Sequence, residues 1–141
     1  MSSNPSDQAP PLAGSSTQGN VSSILIVEDS RTAADLLGLF FESHGFDVAI
    51  AYDGEQAVQS TMLRCPQLVI MDLGLPELNG LHASMEIRKH HPDQDIRFVA
   101  LSGYDDTDTV GKCLEYGFDS HVPKPAEPDQ LLKLVRNLLK R

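Results

Sequence analysis

The chain has 141 residues, 40% of them hydrophobic and 22% charged, which suffices for one domain with a sizeable core. Its formal net charge of −9 repels phosphate backbones and anionic lipid, so direct binding to nucleic acid or to a membrane surface is not expected. No apolar run approaches the ~20 residues needed to cross a bilayer, and the N-terminus lacks the basic start and apolar centre of a signal peptide. Cys65 and Cys113 lack CxxC or Cys/His ligand spacing and read as core thiols of a reducing compartment, here the cytoplasm.

Residues 1–22 open with MSSNPSDQAPPLAGSSTQGN, rich in Ser, Pro, Gly and Gln, and carry one charge, at Asp7. Without periodicity they cannot bury an apolar face that would offset their ordering entropy, so a disordered tail is expected, or else a docking or localisation segment. An ordered domain is expected over 23–141. ILIV at Ile24–Val27 predicts a strand, and Ser30 suits the N-cap of a helix over Arg31–His44 that stops at Gly45. DVAIA at Asp47–Ala51 predicts the next strand, followed by a helix over Gly54–Arg64. LVIM at Leu68–Met71 and a helix over Leu81–His90 form the third unit, RFVAL at Arg97–Leu101 and a helix over Asp105–Tyr116 the fourth. Gly117 suits the C-terminal stop of that helix, and Asp119–Val122 reads as the last strand. Pro128 opens a final helix to Lys140 whose Leu131, Leu134, Val135 and Leu138 share one face. Continuous apolar strands alternating with helices predict an α/β fold, a doubly wound five-stranded parallel sheet covered on both sides by five helices.

Four of the five strand candidates run into polar residues: ILIV into Glu28 and Asp29, LVIM into Asp72, FVAL into Ser102, and HVP into Lys124. In an open parallel sheet the carboxyl ends of the strands share one edge, and ligands bind in the crevice outside them. Taken singly, each of these residues suits a turn, an N-cap or a solvated surface. Taken together they place three carboxylates, a hydroxyl and an ammonium in one pocket. Carboxylates crowded in this way need protonation, a cation or a metal, and hard oxygen donors favour Mg2+. The metal, Lys124 and Ser102 would together suit the oxygens of a transferring phosphoryl group, with Asp72 as nucleophile forming an acyl phosphate. A rigid strand end suits in-line attack, and Gly74, Pro76 and Gly80 are expected to shape the loop by which the metal approaches.

The ordered motifs ILIVEDS, LVIMDLGLPELNG, FVALSG and GFDSHVPKP resemble the receiver domain of two-component response regulators, the CheY-like superfamily, over about Ser23–Lys140. The resemblance implies a flavodoxin-like (βα)5 receiver fold. It also implies that Asp72 is the phosphoacceptor, and that Asp29, Asp72 and the backbone carbonyl of Gly74 hold Mg2+, with Glu28 acting through water. Ser102 matches the hydroxyl that turns toward the phosphoryl group, Lys124 matches the lysine that contacts it, and the Lys124–Pro125 peptide is expected to be cis. The implied donor is a histidine kinase or histidine phosphotransfer protein.

Three residues before the lysine the family commonly has Tyr or Phe as a rotating switch, where this chain has His121. Either His121 takes that role, with pH sensitivity from its imidazole, or it is an edge-strand residue with none. The face made by Asp105–Tyr116, Asp119–Val122 and Pro128–Lys140 is the expected surface for a downstream partner or a homodimer. Asp105, Asp106 and Asp108 read as a solvated first helical turn, and Lys133, Arg136, Lys140 and Arg141 as a solvated basic face. His44, His82, His90 and His91 suggest no metal site. With the sequence ending at Arg141, the expectation is a receiver acting through a partner, either free-standing or cut from a larger protein. The expected catalysis is limited to assisting its own phosphorylation and slow dephosphorylation. The alternatives are a receiver-like module that binds partners without phosphorylation, and a Mg2+-dependent aspartyl phosphohydrolase. The latter is disfavoured by Gly74, where such enzymes place a second Asp.

Overall fold

The computed structural model describes residues 21–74, 80–103 and 107–140, the side chains of 107–110 excepted. Strands and helices alternate: β1 Ser23–Val27, α1 Arg31–Ser43, β2 Asp47–Ala51, α2 Gly54–Leu63, β3 Leu68–Asp72, α3 Gly80–His90, β4 Arg97–Ser102, α4 Thr107–Glu115, β5 Ser120–Pro123 and α5 Pro128–Leu139. All strand pairs are parallel, in the order β2-β1-β3-β4-β5. The chain therefore winds from β1 outward to β2, then returns past β1 to build the other half, which opens a crevice at the carboxyl ends of β1 and β3. No described helix is long and apolar enough to cross a membrane.

The central strands are apolar on both faces, and their alternation sorts the core into two layers. Leu25, Val27, Val69, Met71, Phe98 and Ala100 point to one side, where Ala57 of α2, Ala83 and Ile87 of α3 and Cys113 of α4 cover them. Ile24, Ile26, Leu68, Ile70, Val99 and Leu101 point to the other, against Phe41 of α1 and Leu131, Leu132 and Val135 of α5. The face predicted for α5 is present, with Leu134 and Leu138 partly buried at its margin; Leu132 joins the buried set as well. Cys113 is core, whereas Cys65 is half-buried, and burial pushes both thiols above their ordinary value.

Helix punctuation follows local chemistry. The Ser30 hydroxyl accepts from the Ala33 amide and caps α1, Asp53 does the same for α2 through the Gln56 amide, and Pro128 begins α5. Gly45 and Gly117 reverse the chain after α1 and α4 at φ of 91° and 81°, the left-handed region that a side chain disfavours. Gly80 corrects its expected role as a loop residue, because it is the first residue of α3. A Cβ there would lie 2.7 Å from the Asp72 carbonyl oxygen and 2.9 Å from Met71 Cγ, so only glycine lets α3 start against the end of β3. Pro76, Asp105 and Asp106 lie outside the described residues, as do residues 1–20 of the expected tail and Arg141; the side chain of Asp108 is also outside them.

Candidate functional site

Asp72 is the last residue of β3 and is 3% exposed. Its backbone pairs with Leu101 of β4, and the neighbouring Met71 pairs with Val27 of β1, so strands on both sides hold it. Its Oδ1 accepts from the Gly74 amide at 2.9 Å and its Oδ2 from Lys124 Nζ at 3.0 Å. Glu28, one residue beyond β1, is also buried; its Oε2 accepts from the Ser30 amide at 3.1 Å and its Oε1 lies 3.2 Å from Lys124 Nζ. Asp29 follows it at the exposed rim. Glu28, Asp29 and Asp72 each bring a carboxylate oxygen within 4.8 Å of the others.

Lys124 arrives from the opposite side of the crevice, directly after β5. Its amide donates to the Ser102 carbonyl at 2.6 Å, which ties the ends of β4 and β5, and its peptide bond to Pro125 is cis. Ser102 closes β4, buried, one residue beyond Leu101, the register partner of Asp72. His121 sits half-buried on β5 at the sheet edge, in register with Ala100. Its Nε2 is buried and, among the described residues, has no hydrogen-bond partner.

The electrostatics follow from burial and charge. Burial pushes the Glu28 carboxyl above its ordinary value and the Asp72 charge adds to this, while the Ser30 amide and Lys124 oppose it. Burial alone would lower the Lys124 ammonium, but the hydrogen bonds and charges of Asp72 and Glu28 outweigh it and hold Lys124 above its ordinary value. The pocket thus keeps a permanent cation between two carboxylates. Three hard oxygen donors, with no imidazole or thiolate among them, form a set that fits a Mg2+ ion. His44, His82, His90 and His91 belong to no such group among the described residues.

Comparison with known proteins places this geometry in a family. Residues 24–136 match the family described as the response regulator receiver domain. The chain belongs to that family. It is 36% identical over 118 residues to the DNA-binding response regulator MtrA of Mycolicibacterium smegmatis, covering 84% of this chain and 50% of the relative. Response regulator ArlR of Staphylococcus saprophyticus is 33% identical over 118 residues, covering 84% and 52%. The chain therefore spans about half the length of these curated relatives. Among solved structures, a response regulator from Chloroflexus aurantiacus described as putative superposes with a TM-score of 0.79 at 30% identity, covering 86% of this chain and 100% of that one. A CheY-like receiver domain protein from Methanospirillum hungatei gives a TM-score of 0.79 at 24% identity, covering 85% and 94%, and supports the fold alone. Membership implies phosphorylation-dependent signalling.

Two features of this receiver escaped the sequence. Tyr52 directly follows β2, the strand whose end carried no charge signal. Its ring lies 4.1 Å beneath the Arg31 guanidinium, and its hydroxyl donates to Asp35 Oδ1 at 2.8 Å. An open groove of about 620 Å3 also runs from Glu28 and Lys124 along Leu36, Leu37 and Phe40 of α1 to Leu131 of α5. Its signal was available, since α1 carries more apolar residues than one core-facing stripe needs.

Proposed function

We propose that this receiver domain, taken as residues 23–141 after a tail over 1–22, is a signalling switch. Asp72 accepts a phosphoryl group from the phosphohistidine of a histidine kinase or histidine phosphotransfer protein. The observation that carries the reading is the buried Asp72 carboxylate, 3.0 Å from Lys124 Nζ and within 4.8 Å of two further carboxylates at the carboxyl edge of the sheet. An Asp72 oxygen attacks phosphorus in line, the P–N bond of the donor breaks, and the departing imidazole takes up a proton. Asp29, Asp72 and the Gly74 carbonyl would hold Mg2+, with Glu28 acting through water; when bound, the ion neutralises charge on the phosphoryl oxygens. Lys124 supplies a fixed positive charge to the same oxygens, and Ser102 a hydroxyl donor.

The added charge at Asp72 is about −1.5 to −2, and it draws Lys124 and Ser102 toward the phosphoryl group. Because their strands lead into the face of α4, β5 and α5, that face passes the signal to a downstream protein or a second copy, with His121 as candidate switch residue. This receiver domain acts in the cytoplasm, its net charge of −9 disfavours direct contact of these residues with nucleic acid or an anionic membrane surface, and its own chemistry is limited to its phosphorylation and slow dephosphorylation.

The test is incubation with Mg2+ and acetyl phosphate, followed by assay for an acid-stable, base-labile phosphoryl label. The wild-type chain is expected to take up one label, and Asp72→Asn none. Label persisting in Asp72→Asn overturns the assignment, and rapid multiple turnover of the donor would make the protein a hydrolase. A folded chain with no label would point to the phosphate-independent module.

A further inference from the structure

The groove between α1 and α5 combines buried or half-buried Leu37, Phe40 and Leu131 with exposed Ala33, Leu36 and Pro125, and it holds about 620 Å3. Leu36 is 62% exposed, a large apolar side chain turned to water among other apolar groups. Pockets of ~300–1,000 Å3 enclose small ligands, so the groove suits a short apolar segment rather than the face of a folded partner.

The chain carries one such segment. Within residues 1–22, Ala9–Gly14 (APPLAG) is the one stretch longer than a single residue that lacks a polar side chain. Its two prolines fix φ at ~−65°, so little backbone freedom is lost when it binds in the extended polyproline form that aromatic-lined grooves accept, and Phe40 supplies the ring. Asp7 is the only charged side chain in residues 1–22, so the acidic domain repels the segment little.

The connecting length fits as well. The Ser22 carbonyl accepts from the Asp47 amide at 2.9 Å, at the edge of the sheet where α1 ends and the chain enters β2. α1 runs back along β1, so the groove extends from Phe40, about one turn before the end of α1, to Glu28 and Lys124. Ten residues, Ala13–Ser22, lie between Leu12 and β1. A Gly/Ser-rich stretch of that length spans ~18 Å on average, and a five-residue strand such as β1 is ~17 Å long. A connection matched to its span gives an effective concentration in the millimolar range, which fills even a weak site.

We propose that Ala9–Ala13 docks in the α1–α5 groove of its own chain, as an intramolecular occupant beside the Asp72 pocket. Its regulatory consequence rests on the function proposed above. A macromolecular phosphoryl donor is far larger than the pocket and has to rest on its flanks, one of which the docked segment covers.

The experiment is methyl NMR of the full chain, wild type against Leu12→Asp, at micromolar and at millimolar protein. Leu12 lies outside the strand–helix units and Leu36 is mostly exposed, so substitutions at either leave the core intact. The methyl signals of Leu37 and Leu131 are expected to move in Leu12→Asp, equally at both concentrations. A peptide of residues 7–15, DQAPPLAGS, should bind the Leu12→Asp chain with a Kd of about 1 mM and wild type several-fold more weakly, because the wild-type groove is already taken. It should not bind the Leu12→Asp/Leu36→Asp double variant. Groove signals that Leu12→Asp leaves unmoved, or equal peptide binding by wild type and Leu12→Asp, overturn the proposal. A difference confined to millimolar protein gives the segment to the groove of a second copy and overturns the intramolecular reading. Undiminished binding of the peptide by the double variant puts its site elsewhere and overturns the groove. Label on Asp72 from acetyl phosphate is read separately: its failure removes the regulatory consequence and leaves the docking, whereas failure of the docking leaves the phosphorylation site standing.

Discussion

β3 and β2 are both five residues long and both parallel to β1, yet they hold their residues very differently. Every residue of β3 is buried, between β1 and β4 and beneath helices on both faces, whereas in β2 only Ala51 is. β5, at the other edge, has no fully buried residue. Asp72 ends the most enclosed strand, while Lys124 follows an edge strand and reaches inward to it. The difference teaches a division of labour. In the proposed function, Asp72 would draw its fixed line of attack from a strand held from both sides, and Lys124 would respond to added charge from beside an edge, where opening costs less.

The sharpest way to break this comparison is to remove equal apolar volume from the two strands. Ile70 of β3 is completely buried, whereas Ile50 of β2 is partly buried at the margin of the same core layer. Ile70→Ala is expected to destabilise the fold by roughly 2–5 kcal/mol, and Ile50→Ala by less than about 2 kcal/mol. Urea unfolding with a common m-value checks both. Equal losses would mean that β2 is as tightly held as β3, and the argument from enclosure would fail.

The same enclosure explains what was legible in the sequence. ILIV and LVIM are unbroken apolar runs because β1 and β3 are covered on both faces, so those strands, and the charged residues ending them, stand out by pattern alone. Helix limits came within a residue or two, since Ser30, Gly45, Gly117 and Pro128 act through local backbone chemistry. Convergence of Glu28, Asp29, Asp72, Ser102 and Lys124 on one edge followed from the rule for parallel sheets. What stayed hidden depends on the three-dimensional reach of long side chains. The span of Lys124 between Glu28 and Asp72, the Arg31 guanidinium over Tyr52 and the burial of Leu132 have no fixed sequence spacing to betray them. The close approach of Gly80 to Asp72 was equally invisible, because a missing Cβ looks the same in a loop and at a crowded helix start.

A smaller effect sharpens the comparison within the pocket. Burial raises the Glu28 carboxyl above its ordinary value of 4.5, so the folded state holds that proton more tightly than the unfolded chain does. The sign follows: the stabilising contribution is complete below 4.5 and is lost as pH rises through the elevated folded value. At neutral pH without divalent cation, the ionised Glu28 therefore weakens the fold relative to a neutral isostere. Glu28→Gln is expected to raise Tm at pH 7 in chelator, with the gain fading as pH falls to 4.5 and below. A gain that persists unchanged at acid pH would show that ionisation of Glu28 is not its source.

The smallest expected effect lies on the β2 edge. Arg64, which follows α2, pairs with Asp47 at the start of β2, and the two side chains are 61% and 46% exposed. Water and salt screen such a pair, and two mobile side chains lose entropy in forming it, so Arg64→Ala should cost no more than about 0.5 kcal/mol. The contrast is Arg97 at the start of β4, whose partner Asp119 also accepts from the Phe98 amide at 2.8 Å. There the carboxylate is part of the backbone ladder between β4 and β5, whereas Asp47 offers its charge to solvent as readily as to Arg64. Urea unfolding of Arg64→Ala at low and high salt measures the difference. A loss above about 1 kcal/mol that salt does not reduce would mean that the edge is anchored electrostatically, and that exposure alone misjudges how firmly β2 is held.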